Sequence, residues 1–270
     1  MSQHEAREQT LDGRSPRLHS LSVCMICKDE ADRIEPALQS VSGWADEIVV
    51  FDSGSTDGTP EIVRRYTDRL FVTDWPGFGA QRQRCLDAAH GDWVLVLDAD
   101  ERITAELRDE IDQLLAGEPG NYAYQARWRM VLFGKALRFA GRFGAPQTRL
   151  YPRASVHFEP LPVHETPTLS TDGFRLLAGR IEHLSFRDYR QLAGKHLDYG
   201  CLLAEGKYRA GKRASIPQAL LRAGWEFMNQ YLLRGLVLEG NRGLLLASVL
   251  AQYAFHKYAA LWAAETIKKR

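Results

Sequence analysis

Short apolar runs alternate with helix-like segments over the first third of the chain, and this alternation most strongly limits the folds open to it. The runs have the length and β-branched content of buried strands; they are Leu21–Cys27, Glu47–Phe51, Leu70–Val72 and Trp93–Leu97. Helical segments are predicted between them at Glu30–Val41, Pro60–Tyr66 and Gly79–Ala89. Strands that alternate with helices in this way form a parallel sheet with right-handed crossovers. The sequence therefore predicts an α/β fold.

Two carboxylates, Asp98 and Asp100, follow the predicted strand Trp93–Leu97 directly. Ligands of open α/β sheets bind outside the carboxyl ends of the strands. Two neighbouring carboxylates repel each other unless a cation lies between them, and such oxygen ligands suit Mg²⁺ or Mn²⁺ bound to a phosphorylated substrate. An isolated pair of this kind is equally well explained as a turn or a helix cap, because a helix start follows at Thr104. Both interpretations stay open on the pair alone.

Polar loops follow the second strand and precede the third predicted helix. Asp52 can accept a hydrogen bond from a nucleotide base or form an Asx turn, and the loop Ser53–Gly58 can bind phosphate or cap its own helix. Gln81 and Arg82 follow the turn Trp75–Gly79, where a basic side chain can reach a diphosphate. The loops lack the Walker and G-x-G-x-x-G patterns, which argues against an ordinary P-loop or dinucleotide fold.

Beyond residue 120 the pattern changes. Arg and aromatic residues at Tyr122–Phe133 predict strands of a less regular, mixed half of the sheet, as do Pro146–Tyr151, Val156–Phe158 and Ile181–Leu184. Helical apolar spacing follows at Gly194–Arg209, Ile216–Leu238 and Leu244–Ala264. We therefore predict a disordered tail at 1–20, a catalytic domain at 21–186 and a helical region at 187–270.

Charge divides the chain along the same boundary. Residues 187–270 hold 14 Lys and Arg against 6 Asp and Glu, whereas residues 1–186 hold 21 against 28. The acidic part suits a metal site, and the basic part suits a membrane surface, a phosphorylated acceptor or nucleic acid. Nucleic acid is disfavoured, because the aromatic residues there follow helical core spacing and no nucleic-acid reader motif is found.

The basic region contains a candidate for an interfacial helix. Leu244–Phe255 is the most apolar window, but it is shorter than the ~20 residues that span a bilayer. Aromatic and basic side chains of the region can face anionic lipid; they are Trp225, Tyr231, Tyr253, Tyr258, Trp262, Arg209, Lys212, Arg213, Arg222, Arg234 and Arg242. An equally weighted alternative is a helical domain packed on the catalytic core, with these basic residues solvated.

Four cysteines give no disulfide framework. Cys24 and Cys27 have the spacing of a redox pair or half a zinc site, but side chains three apart on a strand point to opposite faces. Core cysteines of a reduced, cytoplasmic chain are the favoured interpretation. Residues 1–20 carry no apolar segment of the kind that signal peptides have.

Several stretches together resemble glycosyltransferase family 2, and more closely its WaaE/KdtX-type lipopolysaccharide core glucosyltransferases. They are Leu21–Glu30, Trp44–Thr59, Trp75–Gln81 and Gly91–Glu101, with weaker likeness at Leu161–Glu165 and Glu182–Asp188. The resemblance implies a GT-A-type fold, a UDP-sugar donor and inversion at the anomeric carbon. It further implies transfer of a hexose, glucose, to the heptose of a lipid-linked lipopolysaccharide core at the cytoplasmic face of the inner membrane.

The resemblance also implies roles for individual residues. Asp52 matches the position that contacts uracil, Asp98 and Asp100 match the metal-diphosphate motif, and Glu165 matches the general base. The predicted nucleotide-sugar site comprises Cys27, Glu30, Asp52, Gln81, Arg82, Asp98 and Ala99, and the predicted Mg²⁺ or Mn²⁺ ligands are Asp98, Asp100 and His183.

Some assignments stay open on the sequence. His164 and His183 can bind the metal or the acceptor, or be structural. Arg82-Gln83 stands where such enzymes often carry Lys-Asn, which leaves details of the donor open. Polyprenyl phosphate or another glycan as the acceptor is an alternative within the family. A non-catalytic, receiver-like module is the alternative from another class, and it would leave Val163–Glu165 without a role.

Overall fold

A computed structural model describes residues 17–139, 145–159 and 167–268. The chain forms two compact units. In the described ranges, the first unit consists of residues 17–128 and 145–183, and the second of residues 129–139 and 184–268. The second unit therefore includes a short segment from the middle of the chain as well as the C-terminal helices.

The strands and helices follow one another along the chain. The strands are β1 (Leu21–Cys27), β2 (Glu47–Asp52), β3 (Leu70–Val72), β4 (Trp93–Val96), β5 (Glu101–Ile103), β6 (Ala123–Leu132), β7 (Lys135–Ala136), β8 (Gln147–Pro152), β9 (Val156–His157), β10 (Thr168–Leu169) and β11 (Phe174–Phe186). The helices are α1 (Ile34–Val41), α2 (Thr59–Val63), α3 (Phe78–Ala88), α4 (Ala105–Leu115), α5 (Tyr189–Arg209), α6 (Ile216–Met228) and α7 (Asn241–Lys268).

The main sheet has the strand order β3-β2-β1-β4-β8-β6-β11-β5, and β7 pairs with β6. Strands β3, β2, β1 and β4 are parallel, with Cys27 beside Asp52 and Cys24 beside Val96. From β4 to β8 the pairing becomes antiparallel, and β11 is antiparallel to β5. The predicted α/β architecture with a C-terminal helical region is confirmed. The sheet is mixed rather than mostly parallel, because the second half of the unit contributes antiparallel strands.

Apolar faces explain how the helices pack on this sheet. Helix α4 buries Leu107, Ile111 and Leu115 at helical spacing, and the Thr104 side chain caps it by accepting a hydrogen bond from the Leu107 amide. Helix α1 contributes its apolar face to the same core, and β4 contributes Trp93 and Leu95. Val94 and Val96 of β4 face a second apolar cluster. The first unit therefore owes its stability mainly to this apolar burial.

The structure describes residues 17–20 of the predicted N-terminal tail. The Arg17 guanidinium donates to Asp112 Oδ1 over 2.6 Å, and the amides of Leu18 and His19 donate to the carbonyl of Leu115. Ser20 donates to Asp92. Polar groups distant in the sequence thus contact residues 17–20, and disorder of the tail stays a prediction. Residues 1–16 lie outside the described residues.

The second unit has its own apolar core. Leu192, Leu246 and Val249 from α5 and α7 pack with Leu132 and Leu137 of the mid-chain segment. The window Leu244–Phe255 contributes Leu246, Ala247 and Val249 to this core, and its predicted contact with lipid stays a prediction. No helix within the described residues is long and apolar enough to cross a membrane.

Helix α6 is shorter than the sequence predicts. It ends at Met228, a π-helical turn follows over Asn229–Leu233, and Gly235 then adopts a left-handed conformation with φ 80°. Gly235 lacks the Cβ that disfavours this conformation, so the chain can turn there. The apolar spacing of Ile216–Leu238 continues through this break, which explains the longer prediction.

Candidate active site

Two loops at the carboxyl ends of β1 and β2 hold each other in place. The Asp29 amide donates to Ser55 Oγ over 2.8 Å, and the Thr56 amide donates to Asp29 Oδ1 over 2.9 Å. The Ala31 amide donates to Asp57 Oδ2. These bonds order the polar edge of the sheet at which the sequence predicts ligand binding.

Asp52 is fully buried beneath these loops. Its Oδ1 accepts from the amides of Gly54 and Ser55 at 2.9 and 2.7 Å, and its Oδ2 lies 3.4 Å from the Cys27 thiol. Burial is the main cause that raises the pKa of Cys27 above its ordinary value, and the Asp52 carboxylate adds to it. Asp52 thus forms the Asx turn that the sequence allowed. Its contact with uracil stays a prediction.

Gln81 is also fully buried, near the start of α3. Its Nε2 donates to Thr73 Oγ1 at 3.0 Å and to Ser53 Oγ at 3.2 Å. Gln81 therefore connects α3 to the loops after β2 and β3 through hydrogen bonds. Its contact with the donor stays a prediction.

A cavity of about 600 Å³ opens between these loops and the end of β4. It brings together six of the predicted site residues, Cys27, Glu30, Arg82, Asp98, Ala99 and Asp100, and it is also lined by Ile26, Lys28, Trp75 and Phe78. Trp75 and Phe78 meet edge to face with ring centroids 4.7 Å apart, and both are partly exposed. The cavity has the size and mixed lining of a small-molecule site.

Asp98 is held between two arginines. Its Oδ1 accepts from Arg82 at 2.9 Å, and its Oδ2 accepts from Arg149 at 2.8 Å. Burial favours the neutral acid, but the two guanidinium groups outweigh it and hold the pKa of Asp98 well below its ordinary value. Asp98 is therefore ionised, and its charge is already matched by the protein.

Glu101 lies behind Asp98 and has no exposed surface. Its Oε1 accepts from Arg149 and from the Trp128 indole, each at 2.6 Å, and its Oε2 accepts from the Asp98 amide. Burial raises the pKa of Glu101 to about 7; Arg149 opposes this shift, and the Asp98 charge adds to it. Glu101 and Arg149 thus form a buried support for the Asp-x-Asp turn.

Asp100 faces the opposite side of the turn. Its Oδ2 lies 3.4 Å from His183 Nε2 on β11 and 3.4 Å from the Arg33 guanidinium. The His183 ring stacks on Trp128 with centroids 4.7 Å apart. Arg33 is also paired with Glu30 at 2.7 Å. The fold therefore brings His183 to Asp100, as its predicted role requires.

Two of the three predicted cation ligands, Asp100 and His183, lie close together. Two ligands that bind one octahedral cation at about 2.1 Å lie about 3 Å apart, which the Asp100–His183 separation approaches. Both oxygens of Asp98 accept from arginines, and its metal role stays a prediction. In the ranges that the structure describes, no group of three or more His, Cys, Asp or Glu side chains is arranged to hold a metal. Glu165 and His164 lie outside those ranges.

Sequence reasoning did not single out Arg33, Arg149, Glu101 or Trp128. An arginine in strand β8 gives no local sign that it is buried, and its partners Asp98 and Glu101 are distant in sequence. Glu101 follows the Asp-x-Asp pair directly, and its short strand β5 was not predicted. The position of Glu101, a charged residue immediately after Asp98-Ala99-Asp100, is the one sequence signal that could have pointed to its role.

Comparison with protein families identifies the first part of the chain. Residues 22–130 match the family model described as glycosyl transferase family 2. The chain carries a glycosyltransferase family 2 domain. The match covers β1 to β6 and includes the whole Asp-x-Asp turn. The predicted family and enzyme class are thereby confirmed.

The relatives differ in the share of their own length that aligns with this chain. A TPR repeat-containing protein of Synechococcus elongatus is 45% identical over 98 residues, which are 34% of this chain and 24% of that protein. The chain thus spans about a quarter of that relative. The lipopolysaccharide core biosynthesis glycosyltransferase LpsC of Rhizobium meliloti is 27% identical over 256 residues, covering 93% of this chain and 94% of LpsC.

One solved structure resembles this chain at lower sequence identity than these relatives do. Glucosyl-3-phosphoglycerate synthase from Mycobacterium tuberculosis, solved with Mn²⁺, UDP and glucosyl-3-phosphoglycerate, is 20% identical with a TM-score of 0.44. The alignment covers 73% of this chain and 82% of that one.

Proposed function

We propose that this glycosyltransferase moves a hexose, glucose, from a UDP-sugar to a heptose of the lipopolysaccharide inner core. The reaction would take place at the cytoplasmic face of the inner membrane and invert the anomeric carbon. The observation that carries the proposal is the pairing of Asp100 with His183 at 3.4 Å beside a cavity lined by Arg82 and Asp98. A sugar nucleotide needs such a site, because its diphosphate gains charge as the sugar leaves.

Donor binding is assigned to the cavity and its rim. Arg82 and Lys28 line it and supply positive charge for a diphosphate, and Trp75 and Phe78 supply aromatic surface. Asp98 orients Arg82 through the ion pair at 2.9 Å. Cys27, Glu30 and Ala99 complete the lining from the two strand ends.

A divalent cation, Mg²⁺ or Mn²⁺, would be held by Asp100 and His183. An oxygen and an imidazole nitrogen facing each other suit such an ion, with phosphate oxygens and water as further ligands. When bound, the cation would stabilise negative charge on the leaving diphosphate. Trp128 keeps the His183 ring in place by stacking, and Glu101 holds the Trp128 indole.

The general base is assigned to Glu165 on the family resemblance. Inverting transfer needs one base that accepts the proton of the acceptor hydroxyl on the face opposite the diphosphate. One carboxylate suffices, since the leaving diphosphate needs no proton from a second acid. The acceptor assignment rests on the same resemblance and on the similarity to LpsC, a lipopolysaccharide core biosynthesis glycosyltransferase whose alignment covers 93% of this chain.

Transfer to a purified acceptor tests the proposal. The protein is incubated with UDP-[¹⁴C]glucose, Mn²⁺ and lipopolysaccharide truncated at the inner-core heptose, and label in the lipid-bound fraction is measured. We expect label that requires Mn²⁺ and is lost in Glu165→Gln. Label on polyprenyl phosphate instead of lipopolysaccharide would contradict the acceptor, and no label on either would contradict the proposed activity.

A further inference from the structure

The second unit exposes a strip of large apolar side chains along one continuous helical segment. We call it the apolar strip, and it consists of Leu220, Leu221, Trp225, Met228, Leu232 and Leu233 on α6 and the π-helical turn after it. Leu221 is 76% exposed, Trp225 61% and Leu233 70%. Residues 221, 225, 228 and 232 are spaced three or four apart, so they share one face of the helix.

The opposite face of the same segment is the one that packs. Ala219 is fully buried, and Phe227 and Tyr231 pack against the core of the second unit with their rings stacked 5.3 Å apart. The segment is therefore apolar on both faces, and its own unit covers only one of them. An exposed apolar surface of this length marks an interaction site.

Basic side chains predominate around the apolar strip. From residue 207 to residue 239 all the exposed charged side chains are basic; they are Arg209, Lys212, Arg213, Arg222 and Arg234. Arg209 pairs with the exposed Glu205 just before this stretch, and within the stretch Glu226 is partly buried. Glu226 accepts from Gln230 at 2.7 Å, and Glu239 is buried and accepts from the Phe139 amide at 2.9 Å.

We propose that the apolar strip docks on an anionic lipid bilayer, with its leucines and Trp225 among the acyl chains and its arginines and lysines at the headgroups. Leucine and tryptophan on one helical face, bordered by basic residues, are the pattern of helices that lie in the membrane interface. A second copy of the chain fits less well, because a two-fold contact would place the same basic border against itself. The proposal rests on the second unit alone and does not require sugar transfer.

Vesicle co-sedimentation of the full chain tests this surface. We use vesicles of phosphatidylcholine alone and of phosphatidylcholine with phosphatidylglycerol, at low and high salt. We expect binding to the anionic vesicles that high salt weakens. The double variant Leu221→Ser/Leu233→Ser should lose at least about tenfold in vesicle affinity, because each leucine gives up its acyl-chain contact. Arg222→Glu/Arg234→Glu should lose the preference for anionic lipid.

The matched control is Leu176→Ser, which changes a leucine that is 45% exposed on β11 in the first unit. It should bind vesicles like the wild type. UDP release without vesicles should be unchanged in Leu221→Ser/Leu233→Ser, which separates a failure of membrane docking from a failure of the transferase activity. Equal vesicle binding by this double variant and the wild type would overturn the proposal. So would a lipid-free dimer, detected by light scattering, that the double variant abolishes.

Discussion

Asp100 Oδ2 lies 3.4 Å from His183 Nε2, although one residue follows β4 and the other lies on β11. The antiparallel pairing of β11 with β5 creates this proximity, since His183 is in register with Glu101. The pairing of β11 with β5, the strand that carries Glu101, thus brings the His183 imidazole to the Asp-x-Asp turn.

Removal of either partner should weaken cation binding. We expect Asp100→Asn and His183→Ala each to raise the Mn²⁺ concentration for half-maximal UDP release by about 100-fold, because each removes a direct ligand. The measurement is donor turnover over a Mn²⁺ titration. His157→Ala, which changes a histidine 55% exposed on β9, serves as the control and should leave the titration unchanged. Unaltered Mn²⁺ dependence in both site variants would refute the assignment.

Arg149 should matter for stability as well as for the site. Arg149→Met leaves the carboxylates of Asp98 and Glu101 without their shared partner, at distances of 2.8 and 2.6 Å. Unpaired buried charge typically costs about 3–5 kcal/mol, so we expect a loss of that order in urea unfolding.

Two further variants sharpen that test. Arg149→Met/Glu101→Gln should recover part of the loss, because one of the unpaired charges is then absent. Arg64→Met removes an exposed ion pair with Glu61 and should cost less than about 1 kcal/mol. A loss in Arg149→Met no larger than that of Arg64→Met would show that the buried pairs do not stabilise the fold.

Trp75 and Phe78 should contribute to donor affinity. They are 43% and 48% exposed at the cavity, so truncation removes aromatic surface for the ligand without opening the core. We expect Trp75→Ala/Phe78→Ala to raise the donor KM about tenfold or more, since aromatic stacking on a base contributes about 1–3 kcal/mol. The melting temperature should stay near that of Phe174→Ala, an exposed aromatic residue outside the cavity. An unchanged KM would remove this pair from the donor site.

Glu47 should make stability depend on acid pH. Partial burial works against ionisation, but hydrogen bonds from Ser22 and the His90 amide, with the Arg69 charge, lower the pKa of Glu47 below its ordinary value. A carboxyl whose pKa is lower in the folded state stabilises the fold above its unfolded pKa, and this stabilisation is lost as pH falls through the folded value.

Unfolding curves from pH 7 down to about pH 3 measure this effect. Glu47→Gln should be less stable than the wild type at pH 7, and the difference should shrink below about pH 4.5. Glu61→Gln, whose carboxyl is 71% exposed, should show no such trend. A difference for Glu47→Gln that stays constant across this range would argue against the shifted pKa.

The sequence predicted the parallel half of the sheet well, because each strand there is a short apolar run between helices. β5 escaped prediction, since three residues directly after the Asp-x-Asp turn give no periodicity. β11 was predicted only at Ile181–Leu184, because its first three residues, from Phe174, are exposed and only Leu177 and Gly179 are buried before Ile181. Antiparallel partners of this kind are set by tertiary pairing rather than by local pattern.

In the candidate site, too, some residues were predictable from local sequence and others depend on tertiary contacts. Asp98 and Asp100 were predictable because they follow a strong strand. Arg149 was not, since its burial depends on Asp98 and Glu101, which no local rule connects to it. Periodicity also predicted the helix that begins at Ile216, but with apolar residues on both faces it did not tell which face the core covers.

The proposed function requires that the Asp100–His183 site turns over a UDP-sugar with a divalent cation. The most direct measurement is nucleotide release from UDP-, GDP- and dTDP-sugars with Mn²⁺, Mg²⁺ or EDTA, in the wild type and in Asp100→Ala. We predict release of UDP from one sugar in the presence of metal, and its loss with EDTA and in Asp100→Ala. Release that persists in EDTA and in Asp100→Ala, or no release from any sugar nucleotide, would contradict the account.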